Sequence, residues 1–141
     1  MTIETVLILE GRKLKIFALQ VDGKTPVLEF LTELKKTNEK ASNHLLSHLQ
    51  LISDAGNPHN KDIFTKVGSG QHTWELRYDQ IRIFCCYNPE QTQLIVLASH
   101  MRKDFGKQKQ RTPKKIKKEQ TQKIKETSEL CDQFFLEQES T

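Results

Sequence analysis

No apolar run in this chain approaches the roughly 20 residues needed to cross a bilayer. The opening Met1-Thr2-Ile3-Glu4 lacks the basic-then-apolar layout of a secretion signal. These two absences argue against a membrane partner and make a cytoplasmic location the expectation. Cysteine is scarce, limited to Cys85, Cys86 and Cys131. An odd number that includes a vicinal pair, whose side chains face opposite sides of a strand, argues against a disulfide framework and for reduced, packed thiols. Cys85-Cys86 is no CxxC element, and no P-loop or nucleophile elbow is present. His44 and His48 sit four apart on a predicted helix, but His-Leu-Leu-Ser-His has no glutamate and no evident third ligand. The expectation is therefore a protein without metal or cofactor. Internal repeats are also missing.

What the chain does contain is cation, unevenly placed. Its 141 residues suit one domain that can bury a core without staples. The net charge is +4, yet 11 of the 22 basic residues fall between Arg102 and Lys125, against only Asp104 and Glu119. Such a block reads either as a solvated helix face or as a patch that attracts RNA, DNA or an acidic partner.

Hydrophobic periodicity divides the chain into strands and helices. Thr5 to Leu9 and Leu14 to Leu19 form a first hairpin around Gly11-Arg12. Thr25 and Pro26 open a helix running to about Lys36, with Val27, Phe30, Leu31 and Leu34 at helical spacing. Ala41, Leu45, Leu46, Leu49 and Ile52 predict a second helix over 39–55, stopped by Gly56-Asn57-Pro58. Strands follow over 62–67, 73–77, 81–87 and 93–100. Thr112-Pro113 then begins a basic helical extension over about 112–141 whose apolar positions, Ile116, Ile124, Cys131 and Phe135, are sparse. The expected fold is a single α+β domain over 1–141: an antiparallel sheet of four to six strands, with two N-terminal helices on one face and a basic C-terminal helix.

A register argument places the charge. If Asp79-Gln80 form a tight turn, Arg77 faces Arg82 and Trp74 faces Cys85. One surface then collects Trp74, Leu76, Ile81, Ile83 and Cys85, while the other collects Glu75, Arg77, Arg82, Phe84 and Cys86. A second hairpin closing Tyr87 against Gln93 would set Ala98 opposite Arg82 and send His100 to the arginine surface. A slip of one residue would turn His100 the other way. Two adjacent guanidinium groups and an imidazole suit a phosphate; separately, they also suit surface ion pairs and a strand-end histidine.

The ordered residues Asp22-Gly23-Lys24-Thr25-Pro26-Val27, Glu29-Phe30-Leu31, Gly56, Trp74-Glu75-Leu76-Arg77, Arg82-Ile83-Phe84 and Thr112-Pro113-Lys114-Lys115 resemble a phage-derived, HigB-type branch of the RelE/ParE toxin superfamily over about Leu14 to Ile124. The resemblance implies a RelE-like fold and a toxin-antitoxin toxin that cleaves mRNA on the ribosome. Its implied partners are mRNA, the ribosome and a co-expressed helix-turn-helix antitoxin. It maps Arg77 and Arg82 onto the family's two sheet arginines and Lys66 onto the strand before them.

After the last strand the branch carries His-Gly-Phe-x-Lys-Lys-Thr-x-Lys-Thr-Pro, whereas here His100-Met101-Arg102-Lys103-Asp104-Phe105-Gly106-Lys107 precedes Thr112-Pro113 over a longer stretch. Either His100 is the family histidine, or Lys103 stands in its place. The expected catalytic set is thus Arg77, Arg82, His100 and Lys103, with no metal. Lys66, Lys107, Lys109, Arg111, Lys114, Lys115 and Lys118 are the expected RNA contacts. A non-catalytic protein of the same fold, either a ParE-like inhibitor or a degenerate phage protein, is the alternative.

Overall fold

Alternation along the central strands sorts the apolar side chains into two sets, and each set calls for a cover. The computed structural model describes residues 2–56, 62–90, 93–103 and 112–139, and supplies both covers. In chain order the elements are β1 (Ile3–Glu10), β2 (Lys15–Val21), α1 (Pro26–Thr37), α2 (Glu39–Ala55), β3 (Phe64–Lys66), β4 (Thr73–Tyr78), β5 (Ile81–Tyr87), β6 (Leu94–Arg102) and α3 (Pro113–Glu139). The strands form one six-stranded sheet in the order β1-β2-β6-β5-β4-β3. The expectation of an antiparallel sheet holds for every pairing except β2–β6, which is parallel from Lys15↔Leu94 to Ala18↔Leu97. The chain leaves the sheet after β2, lays down both helices and three strands, and returns with β6 beside β2, so that pair has no short turn to make it antiparallel.

Ile16, Leu76, Ile81, Ile83, Cys85, Ile95 and Leu97 point to the face covered by Val27, Leu31 and Leu34 of α1 and Leu45, Leu49 and Ile52 of α2. Pro26 starts α1, although the Thr25 side chain makes no capping bond. Asn38 caps α2 by accepting from Ala41 N at 3.1 Å. Gly11 is required where the first hairpin meets the end of α2, because a Cβ there would lie within 2.5 Å of Ser53.

The opposite face is covered by α3. Thr112 Oγ1 accepts from Lys115 N at 3.2 Å, which bears out the expected start of this helix. Ile116 packs on Phe84 and Met101, while Cys131, Phe134 and Phe135 bury against Leu19, Cys86, Val96 and Ala98. Polar bonds tie the middle of the helix down: Ser99 to Thr127 at 2.7 Å and Thr73 to Ser128 at 2.7 Å.

The cysteine expectation is corrected. Cys86 and Cys131 form a disulfide with Cα atoms 5.1 Å apart, because strand alternation turns Cys86 toward the helix that carries Cys131. Cys85 faces the other way, as expected, and is a buried free thiol that desolvation, and then the nearby Glu75 charge, hold protonated. Among the described residues no helix is long and apolar enough to cross a membrane.

Candidate functional site

The β4–β5 hairpin has the expected register, with Arg77↔Arg82, Leu76↔Ile83 and Trp74↔Cys85. Asp79, at φ 52°, makes the tight turn. Glu75, Arg77 and Arg82 therefore share the α3 side of the sheet. Glu75 is fully buried there, accepting from Arg77 Nε and from Gln120 Nε2 of α3, the latter at 2.6 Å. The guanidinium of Arg82 folds onto the hairpin tip, where Nη1 donates to Asp79 O at 2.7 Å and Ile81 O at 2.9 Å. Desolvation lowers its pKa, Glu75 opposes that, and the like charge of Arg77 adds to it. The group remains cationic because a guanidinium starts far above neutral pH.

Beside this cluster, between the hairpin tip and the first turns of α3, lies a hollow of about 430 Å³ lined by Gln80, Lys103, Pro113, Ile116, Lys117 and Gln120. Lys103 is fixed there by its backbone N–H, which donates to Gln80 O at 2.7 Å. Gln120 belongs to both the hollow and the Glu75 pair, so it links Arg77, through Glu75, to the hollow's lysines. Two lysines at the mouth of the hollow, with the Arg77–Arg82 pair on the neighbouring hairpin surface, make a region suited to a phosphodiester.

His100 does not join it, and this corrects the expectation that three groups converge. The β5–β6 pairing sets Tyr87 opposite Ile95, a slip of two residues from the expected Gln93, which alone would preserve the faces. A β-bulge then leaves Ala98 unpaired, with Cys85↔Leu97 on one side and Phe84↔Ser99 on the other. Ala98 and Ser99 both point toward α3, alternation reverses, and His100 pairs with Ile83 on the α1 face. Its ring stacks on Phe30 with centroids 4.2 Å apart.

Burial, and secondarily the charge of Lys123, push His100 below its ordinary pKa. The fold thus favours the neutral imidazole. Its contribution to stability is complete above the unfolded value near 6.5 and is lost as pH falls from there through the lowered folded value. His48 is lowered by burial and then by His44, so it acts in the same direction. Urea unfolding of His100→Gln should therefore lose less stability between pH 7.5 and pH 5 than the parent chain; an unchanged acid slope would rule out this account.

The remaining candidates separate. Lys66 pairs with Trp74 across β3–β4 and lines a different hollow of about 340 Å³ with His72, Trp74 and Asn88. It is not part of the arginine site, because Trp74 belongs to the α1–α2 side of the sheet. Lys114, Lys115 and Lys118 are exposed on the first turns of α3, flanking Lys117. Lys107, Lys109 and Arg111 lie outside the described residues.

His44 and His48 pack on Tyr78, stacked at 5.1 Å and edge-on at 5.8 Å. Among the described residues no group of three or more His, Cys, Asp or Glu could hold a metal. Sequence reasoning counted Lys117 only within the basic block and gave no site role to Gln80 or Gln120. The four-residue spacing Ile116-Gln120-Ile124, a polar residue within an apolar row, was the available signal for Gln120.

An α+β sheet covered on both faces, with a cationic mouth at the tip of its central hairpin, is consistent with the RelE-like architecture of small toxin-type proteins. The profile of the phage-derived Gp49-like proteins (DUF891) matches residues 32–125, and the chain belongs to that family, one of RelE/toxin-like phage proteins. No curated protein and no solved structure matches it.

Proposed function

We propose that the chain is the toxin of a type II toxin-antitoxin pair and acts in the cytoplasm as a metal-independent, ribosome-dependent mRNA endoribonuclease of the HigB-like kind. The observation that carries this reading is one run of cations: Lys103 and Lys117 line the hollow, and Gln120 of that hollow bonds the buried Glu75 that holds Arg77, the cross-strand partner of Arg82. In the reaction, an RNA 2′-oxygen attacks the adjacent phosphorus and the bond to the 5′-oxygen breaks, leaving a cyclic phosphate and a 5′-hydroxyl. The arginines stabilise charge developing on the phosphate oxygens. The Lys103 ammonium protonates the departing 5′-oxygen, and the 2′ proton passes to solvent. Lys114, Lys115 and Lys118, joined by Lys107, Lys109 and Arg111, hold ribosomal RNA through salt-sensitive phosphate contacts. A co-encoded helix-turn-helix protein neutralises the toxin.

A second reading, RNA or partner binding without cleavage, is favoured by one observation: His100 is on the opposite face, so among the described residues no imidazole lines the hollow. Induction of Arg82→Ala and Lys103→Ala variants should each relieve growth arrest, with 5′-hydroxyl mRNA ends falling at least tenfold, while His100→Ala still arrests growth. Arrest without new 5′-hydroxyl ends would select the binding reading. Full arrest by both the Arg82 and Lys103 variants would remove the hollow from the mechanism.

A further inference from the structure

β1 is the outermost strand of the sheet, and among the described residues its far edge has no strand partner. Natural edge strands are protected by proline, lysine, brevity or a cover, because their unpaired N–H and C=O groups form a template for another chain. The eight residues Ile3-Glu-Thr-Val-Leu-Ile-Leu-Glu10 contain no proline, lysine or arginine, and none of them is buried. Leu7 is 51% exposed and sits opposite Phe17, which is half-buried against the cluster under α3, so an apolar strip runs from that cluster out to the free edge.

The two ends of this hairpin differ in charge. One end gathers Glu4 and Asp22 around a hollow with Thr2 and Gln20, offset in part by Lys24 of the adjoining turn. The other gathers Arg12, Lys13 and Lys15 around a hollow of about 480 Å³, with Glu10 paired to Lys15 at 3.7 Å. An antiparallel neighbour of the same sequence brings acid end to basic end twice, as a two-fold interface requires.

We propose that β1 is the contact through which two copies of this chain associate, edge to edge and antiparallel, making one continuous sheet. The register that lets the two-fold axis pass through one residue and uses most of the strand centres on Val6. It places Thr5 beside the partner's Leu7 and keeps Glu4 from facing Glu10. The Leu7–Phe17 strips of the two copies then merge across the two-fold axis. The bulge near Ile8 lies off that axis, so the middle of the strand remains regular. This association does not depend on the RNA reading, because the cationic hollow lies at the β4–β5 tip and the start of α3.

The test is sedimentation velocity of the full chain across a concentration series. The parent chain should associate to a dimer. Leu7→Lys, which sets two ammonium groups about the axis, should weaken dimerisation at least tenfold while circular dichroism remains unchanged. Lys13→Glu should weaken it less, and Glu4→Lys combined with Lys13→Glu in one chain should restore it by exchanging the charges at both ends. A parent chain that stays monomeric throughout would overturn the proposal, as would a dimer that ignores both the Leu7 and the Lys13 changes.

Discussion

Replacing Arg77 with alanine is expected to destabilise the fold by roughly 2 to 4 kcal/mol, reaching only the lower part of the roughly 3 to 5 kcal/mol for removing one partner of a buried ion pair. Glu75 has no exposed surface, and among the described residues its side-chain bonds come from Arg77 and Gln120. Without the guanidinium, the carboxylate must bury its charge against a neutral amide or take up a proton, and either outcome costs stability. The expectation stays below the upper limit for enclosed pairs because the Arg77 side chain is 40% exposed and water screens it. Introducing Glu75→Gln into the Arg77→Ala chain should recover most of the loss, since an amide needs no counter-charge. Urea unfolding of the three chains decides the matter: if Arg77→Ala unfolds at the parent midpoint, the pair is not structural. Because Arg77 has this role, relief of growth arrest by its removal would report folding as well as function. Arg82, bonded to the turn backbone rather than to Glu75, gives the cleaner functional test.

Breaking the Cys86–Cys131 bond is expected to cost about 4 kcal/mol on the chain-entropy account of cross-links, given the 45-residue separation. The bond fastens the far half of α3 to β5, where Phe134 and Phe135 provide the remaining hold. Reduction, or Cys131→Ser, should lower the denaturation midpoint and speed chymotryptic cleavage at Phe134 and Phe135 on that helix. The middle of α3 keeps its bonds from Thr127 and Ser128 to Ser99 and Thr73, so loosening should progress from the C-terminal end. Identical midpoints and digestion rates with and without reductant would show that the bond contributes nothing to the fold.

Both effects come from the face of the sheet where the sequence was only partly legible. The hairpin register of Arg77 and Arg82 could be read because a two-residue turn leaves one pairing, and strand alternation then fixes the faces. The position of His100 could not, since it depends on a longer loop and on one unpaired residue, Ala98, that nothing local marks as a bulge. The disulfide was missed for a similar reason: alternation predicts that Cys86 leaves the sheet on the α3 side, but not that a helix 45 residues later brings Cys131 to it.

The sequence by itself determined the elements, the Thr112 cap of α3, the two faces of the central hairpin and the concentration of cations beyond β6, because those follow from local periodicity, turn chemistry and composition. Only the tertiary structure decided that β2 and β6 run parallel, that α3 folds back over the arginines, and that His100 is directed to the α1 side of the sheet. Those outcomes rest on contacts between segments far apart in the chain, where one inserted residue or one packed helix reverses what a side chain faces.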